Sequence, residues 1–219
     1  MGNVEFVCPA GHMARGYLAA AGDGNRAVVV LQEWWGLNGQ ICDVADRFAA
    51  AGYTALAPDL YQGRVTGDAD EAGHLMEGLD WAGATAQEAR GALKYLKARG
   101  AASAAVMGFC MGGALTVVAG VLLHECDVAV CFYGIPPTEL ADPRAMRIPF
   151  QGHFAERDDW CTPAAVDEFE GLLAESGAPC EVHRYPAAHA FFNQEQSVYD
   201  EQAAELAWRR TLGFFDQHL

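Results

Sequence analysis

Short β-branched apolar runs alternate with stretches of helical periodicity along most of this chain, and few folds accept that pattern. Ala27 to Leu31 (AVVVL) reads as a strand buried on both faces, because a central parallel strand is apolar without alternation. Asn38 to Ala51 follows, with Ile41, Val44, Ala45 and Phe48 on one helical face and Gly52 as its stop. The rhythm then repeats. Strands are expected over Tyr53 to Ala57, Ser103 to Met107, Val128 to Phe132, Arg147 to His153 and Cys180 to Tyr185. Helices are expected over Glu77 to Arg99, Met111 to Leu123, Pro163 to Ser176 and Val198 to Phe215. Tyr61 to Gly73 reads as a polar, glycine-containing connection, and Val4 to Val7 with Gly16 to Ala20 as a hairpin at the sheet edge. Strands alternating with helices give an α/β architecture, a mostly parallel central sheet with helices on both faces, here as one domain over residues 1–219. In such sheets ligands bind beyond the carboxyl ends of the strands, so residues just after the apolar runs are the candidate functional ones.

Composition removes several classes of function. Asp and Glu number 29 against 14 Lys and Arg, a net charge of −15 without a basic cluster, so nucleic acid is not an expected partner. No apolar stretch is long enough to span a bilayer, and Met1 to Phe6 lacks a basic region followed by an apolar run, so neither membrane insertion nor a secretory signal is expected. Phe6 also stands where myristoylation wants Ser or Thr. The seven cysteines are odd in number, widely spaced and without a Cys-x-x-Cys pair, which fits free thiols in a reducing, cytoplasmic compartment.

Three candidate groups stand at strand ends. Gly108-Phe109-Cys110-Met111-Gly112-Gly113 follows the strand SAAVM and opens a helix, as a G-x-nucleophile-x-G elbow does, with Cys in place of Ser. The sharp turn strains the nucleophile, its glycines let chains approach closely, and the Met111 N–H is aimed at a substrate oxygen near a helix N-terminus. Alone, the motif is equally a glycine-rich helix start with a buried cysteine. The acidic loop Glu156-Arg157-Asp158-Asp159, ahead of Thr162-Pro163, offers an orienting carboxylate or a helix cap. His189 follows the strand CEVHRY. Nucleophile, acid and histidine in that chain order, each after a separate strand, is the order of α/β-hydrolases.

At these residues the chain resembles the dienelactone hydrolase family over nearly its whole length. The resemblance rests on Gln32-Glu33-Trp34-Trp35-Gly36, Ala57-Pro58-Asp59-Leu60-Tyr61, the Cys110 elbow, Phe132-Tyr133-Gly134, and the Asp-x-x-x-Pro and His189 segments. It implies a hydrolase of carboxylic esters or lactones, without metal or cofactor, monomeric or a weak homo-oligomer. It places the acid four residues before Pro163, at Asp159. It gives Glu33 as the glutamate against the resting cysteine, and Trp34 N–H as the second oxyanion-hole donor beside Met111. Members that cleave dienelactone carry an arginine four residues after the histidine, where this chain has Asn193, and a second arginine after the Asp-Leu-Tyr segment, near Arg64. A neutral ester or lactone is therefore the better-fitting substrate.

The expected chemistry is attack by a Cys110 thiolate maintained by His189 and Asp159, then hydrolysis of the thioester. Trp34, Trp35, Trp81, Tyr133, Trp160 and Phe191 are candidates for an apolar substrate pocket, each also explicable as core packing. Rival readings are hydrolysis of activated phosphotriesters on the same site, a non-catalytic binding module, and a thiol redox protein. Cys8 with His12, or His153 near Glu156, are metal-binding side chains without further ligands nearby in sequence, so no metal site is expected.

Overall fold

The computed structural model describes residues 1–21 and 24–219. Eight strands form one sheet in the order β1-β2-β4-β3-β5-β6-β7-β8. They are β1 (Gly2–Val7), β2 (Met13–Ala19), β3 (Arg26–Leu31), β4 (Thr54–Pro58), β5 (Ser103–Phe109), β6 (Val128–Phe132), β7 (Phe150–Arg157) and β8 (Cys180–Ala188). β1 and β2 form the expected antiparallel hairpin, β2 joins β4 antiparallel, and every pairing from β4 through β8 is parallel.

The central strands show why the apolar runs do not alternate. In β3, Val29 and Leu31 enter one core while Val28 and Val30 enter the other. Helices α1 (Gly39–Ala50) and α7 (Glu201–His218) cover one face through Ile41, Val44, Phe48, Ala207, Trp208 and Phe215. Helices α4 (Arg90–Ala98), α5 (Met111–Leu122) and α6 (Pro163–Ser176) cover the other through Leu93, Leu96, Leu115, Val117 and Phe169. Helix α5 is buried without interruption from Met111 to Gly120, in accord with its lack of a polar face. Among the described residues no helix is long and apolar enough to cross a membrane.

The structure corrects the expectations in two stretches. The polar connection after Tyr61 contains a helix, α2 (Ala69–Glu77), started by the Asp68 side chain, which accepts from Glu71 N. The expected single helix from Glu77 to Arg99 is broken at Gly78 and restarts at Trp81, where Asp80 caps it by accepting from Gly83 N. It then runs through α3 (Trp81–Gly83) and a π-helical turn, Ala84–Ala89, into α4. Helical periodicity was legible there; the two local caps that divide it compete through short-range side-chain hydrogen bonds. Strands β7 and β8 also run about four and three residues further than expected, to Arg157 and Ala188.

Strand order sets the site. β3 lies between β4 and β5, so the connection from β3 leaves to one side and the chain returns on the other. Such a reversal leaves a crevice at the carboxyl ends of the two central strands. Leu31 pairs with Gly108 at that end, so residues 32–35 and the turn after Phe109 emerge side by side.

Candidate active site

Cys110 sits in the turn between β5 and α5 with φ 54° and ψ −115°, a conformation that costs a non-glycine residue about 1–3 kcal/mol. Close packing holds it there. A Cβ on Gly112 would lie 2.5 Å from Leu31 O and would strike Gln32 O, and one on Gly134 would strike Cys110 O and Ala114 N. Cys110 N donates to Phe132 O at 3.0 Å, and its carbonyl accepts from Ala114 N at 3.0 Å. Tyr133 (φ 39°) and Ala190 (φ 62°) share this strained backbone and stand beside the same cavity. Positive φ outside glycine is uncommon, and its concentration at one place marks a site whose geometry the rest of the fold enforces.

The cavity has a volume of about 140 Å³ and is lined by Glu33, Trp34, Trp35, Cys110, Trp160, His189, Ala190 and Gln196. Trp34 packs edge-on against both Trp35 and Trp160, with centroids 5.0 and 5.6 Å apart. These rings make an apolar wall; among the described residues no Lys or Arg lines the cavity.

His189 lies one residue past β8. Its Nδ1 is 2.7 Å from Asp158 Oδ2, and its Nε2 is buried with no hydrogen-bond partner among the described residues. Asp158 is the first residue after β7, and its Oδ1 accepts from Trp160 N at 2.8 Å and from Cys161 N at 2.9 Å. Burial works to raise its pKa, but the His189 bond and charge with those two N–H groups outweigh it, so Asp158 is held below the usual carboxylate range. This corrects the acid assignment. Asp159, four residues before Pro163, has an exposed side chain; Asp158 is the carboxylate on His189. The physical reason is the turn itself. The two N–H bonds to Oδ1 fold the loop back on Asp158 and turn the next residue to solvent.

Glu33 is buried, 2% exposed. Its Oε1 accepts from Tyr133 OH at 3.2 Å and its Oε2 from Asn193 Nδ2 at 2.6 Å. Burial raises its pKa against those two bonds and the nearby His189. Glu33 acts in turn on Cys110: its thiol is pushed well up, first by burial and then by the Glu33 charge, with only the Met111 N–H among the leading influences opposing them. Removing a thiol from water and placing a carboxylate beside it outweighs one helix-terminal N–H.

The expected substrate-binding residues divide. Trp35 lines the cavity as expected. Asn193 is fully buried, binding Glu33 through Nδ2 and accepting from Glu195 N through Oδ1, so it supports Glu33 and has no free group for substrate. Tyr133 is likewise fully buried, with its hydroxyl on Glu33 and its ring edge-on to His189. Phe191 packs into the core against Tyr133 and Tyr185. Arg64 stands outside the cavity, exposed and paired with Glu71. Trp81 is also elsewhere, its Nε1 donating to Met76 O. All of these residues but Trp81, which opens α3, come after a strand, but strand ends alone do not say which side chain turns inward. Gln196, which the sequence reading did not single out, lines the cavity from the loop ahead of α7, where no motif marks it. His153, considered above as a metal ligand, is instead buried among Gln151, Tyr185 and Thr211, while Glu156 is exposed.

A mostly parallel eight-stranded sheet with a strained elbow after β5 and an acid-bound histidine after β8 defines an α/β-hydrolase fold. Residues 14–219 match the dienelactone hydrolase family. The chain is 33% identical over 220 residues to Protein usf of Aquifex pyrophilus, covering 95% of both. It is 29% identical to an Aquifex aeolicus protein assigned as a carboxymethylenebutenolidase, again covering 95% of each. A crystal structure from Klebsiella pneumoniae, assigned as a dienelactone hydrolase, superposes with a TM-score of 0.86 at 24% identity, covering 99% of this chain and 98% of that one. The chain belongs to the dienelactone hydrolase family and is a hydrolase.

Proposed function

We propose that this hydrolase cleaves uncharged carboxylic esters or lactones through Cys110, with His189 carrying the proton and Asp158 orienting it. One observation carries the reading: a strained elbow cysteine shares a cavity with a histidine whose inner nitrogen is held by a buried carboxylate while its buried outer nitrogen has no partner among the described residues.

At rest Cys110 is a neutral thiol near Glu33, and the His189 Nε2 makes no bond to it. Substrate entering between Trp34, Trp35 and Trp160 displaces water, and its carbonyl oxygen is received by the N–H groups of Met111 and Trp34. The thiol turns toward His189, which takes its proton as sulfur bonds to the carbonyl carbon. The imidazolium that forms is stabilised by Asp158, which stays ionised. Collapse of the tetrahedral intermediate expels the alkoxide, which receives that proton, and leaves a thioester. His189 then takes a proton from water, the hydroxide cleaves the thioester, and the thiol is restored.

The charge around the cavity supports an uncharged substrate. A carboxylate moved into a closed site needs a cationic partner, or desolvation costs several kcal/mol. Here Asn193 stands on Glu33, Arg64 is paired elsewhere, and the cavity is flanked by Glu33 and Asp158.

Incubation with p-nitrophenyl acetate followed by rapid acid quench and mass spectrometry tests the reading. The expected result is a burst of nitrophenol and an acetyl adduct on the peptide bearing Cys110, with both lost in Cys110→Ala. Full turnover by that variant would refute the assignment.

A further inference from the structure

We propose that Cys8, His12 and Glu88 form a binding site for one divalent ion of the zinc type, outside the catalytic cavity, that ties the N-terminal hairpin to the π-helical segment. One ligand atom from each of the three lies within 4.8 Å of the other two, two of them from the turn of the N-terminal hairpin and the third from the π-helical segment.

The hairpin presents two of them. Cys8 directly follows β1 and His12 directly precedes β2. Cys8 N donates to His12 O at 2.8 Å and Gly11 N to Cys8 O at 2.8 Å, with Gly11 at φ 90° closing the turn. Residues opposed across an antiparallel turn project their side chains to the same side of the ribbon, about 5 Å apart at Cβ. The third ligand arrives from 76 residues away, and the turn is pinned to its segment twice: Ala10 N donates to Gln87 Oε1 at 2.8 Å, and His12 Nε2 stands 3.3 Å from Glu88 Oε1. Gly91, one turn further along, has no side chain to hold the helix away; a Cβ there would lie 3.2 Å from Cys8 Cα and 3.3 Å from its Sγ.

The separations suit a tetrahedral ion. With bonds of about 2.0–2.1 Å to nitrogen and oxygen and about 2.3 Å to sulfur, tetrahedral ligands lie roughly 3.3–3.6 Å apart. The His12–Glu88 pair already has that spacing, and the Cys8 sulfur lies within 4.8 Å of both ligand atoms. A bond between His12 and Glu88 alone would have no use for a thiol; thiolate, imidazole and carboxylate together are a zinc donor set. His12 and Glu88 also line a cavity of about 600 Å³, which leaves room for water as the fourth ligand. The chain's charge of −15 favours a cation anywhere on its surface, but only convergent donors make one place selective.

The test uses full-length protein carrying Cys110→Ala, so that the catalytic cysteine cannot contribute, stripped with EDTA and titrated with cobalt and then zinc. The expected result is a single equivalent of cobalt with a thiolate-to-cobalt charge-transfer band, displaced by zinc, and a zinc-dependent rise in Tm. In this background Cys8→Ser should remove the band. His12→Ala and Glu88→Gln, both at partly exposed side chains, should each weaken zinc binding at least tenfold and abolish the Tm rise. Absence of the band in the parent, or zinc binding by His12→Ala and Glu88→Gln as tight as in the parent, would overturn the proposal. These two variants decide the matter even if Cys8→Ser does not fold.

Discussion

Two places in this molecule bring together a cysteine, a histidine and a carboxylate, and they are built differently. At the crevice between β3 and β5, Asp158 grips the inner nitrogen of His189, and His189 shares a cavity with Cys110, so that in the proposed function the three act as a line. At the N-terminal hairpin, Cys8, His12 and Glu88 converge on one point. The backbone differs as well. Cys110 stands at a strained φ of 54°, enforced by glycine contacts on several sides, whereas Cys8 follows an ordinary strand and its turn places the positive φ on Gly11. The contrast teaches that residue types alone do not define a site. A line of groups can pass a proton from one end to the other; groups that converge can share only a common centre, for which a cation is the natural occupant.

The sharpest way to break the comparison is to cut the line at its acid end. Asp158→Asn should lower kcat by about 10³–10⁴, as loss of a triad carboxylate does by leaving the histidine in the wrong tautomer. Asp159→Asn, at an exposed neighbouring side chain, should stay within about twofold, the behaviour of a surface substitution. Steady-state ester hydrolysis by the two variants decides between them, and the reverse ranking would remove Asp158 from the line.

A smaller effect probes what the line excludes. For two esters that differ only in one free carboxylate, kcat/KM should favour the uncharged one by at least about tenfold, since an unpaired carboxylate in a closed site costs more than 1.4 kcal/mol. Equal values would show that a cation such as Arg64 reaches the cavity, against its pairing with Glu71.

The smallest expected effect concerns the resting thiol. Burial and then Glu33 push Cys110 above the ordinary thiol range, so near neutral pH little thiolate exists and iodoacetamide labelling should climb steadily as pH rises through 8 and 9. Removing the Glu33 charge removes one of the raising influences, so the pKa falls and labelling at pH 8 should quicken several-fold in Glu33→Gln. Peptide mapping of the labelled cysteine at each pH measures this; slower labelling in the variant would mean that Glu33 favours the thiolate.

Most of the fold was legible in the chain, because its strands are apolar on both faces and its helices on one, and periodicity records that difference directly. The cores of β3, β4, β5 and β6 fall where the apolar runs do. The placing of Cys110 in a tight turn after one strand and of His189 after another was also legible, since an elbow needs glycines at fixed offsets and strand ends are where such sheets bind ligands. The misreadings have one kind of cause. Choosing Asp159 over Asp158 rested on the four-residue spacing to Pro163 that the family resemblance implies, whereas the loop's own hydrogen bonds, from Trp160 N and Cys161 N to Asp158, turn Asp158 onto His189. Asn193 and Arg64 were singled out because the resemblance puts substrate-binding arginines there, and Phe191 as a pocket aromatic; which way each side chain turns is decided by the buried carboxylate of Glu33, by Glu71 and by the aromatic packing.

By itself, then, the sequence determined the class of sheet and the placing of the Cys110 turn and of His189 after separate strands, because each is written in local periodicity or in glycine spacing. Only the tertiary structure decided which aspartate holds His189, that Asn193 and Tyr133 hold Glu33, and that Glu88 meets Cys8 and His12. Those are contacts between residues tens of positions or more apart, and their geometry exists only once the sheet has set the strands in order.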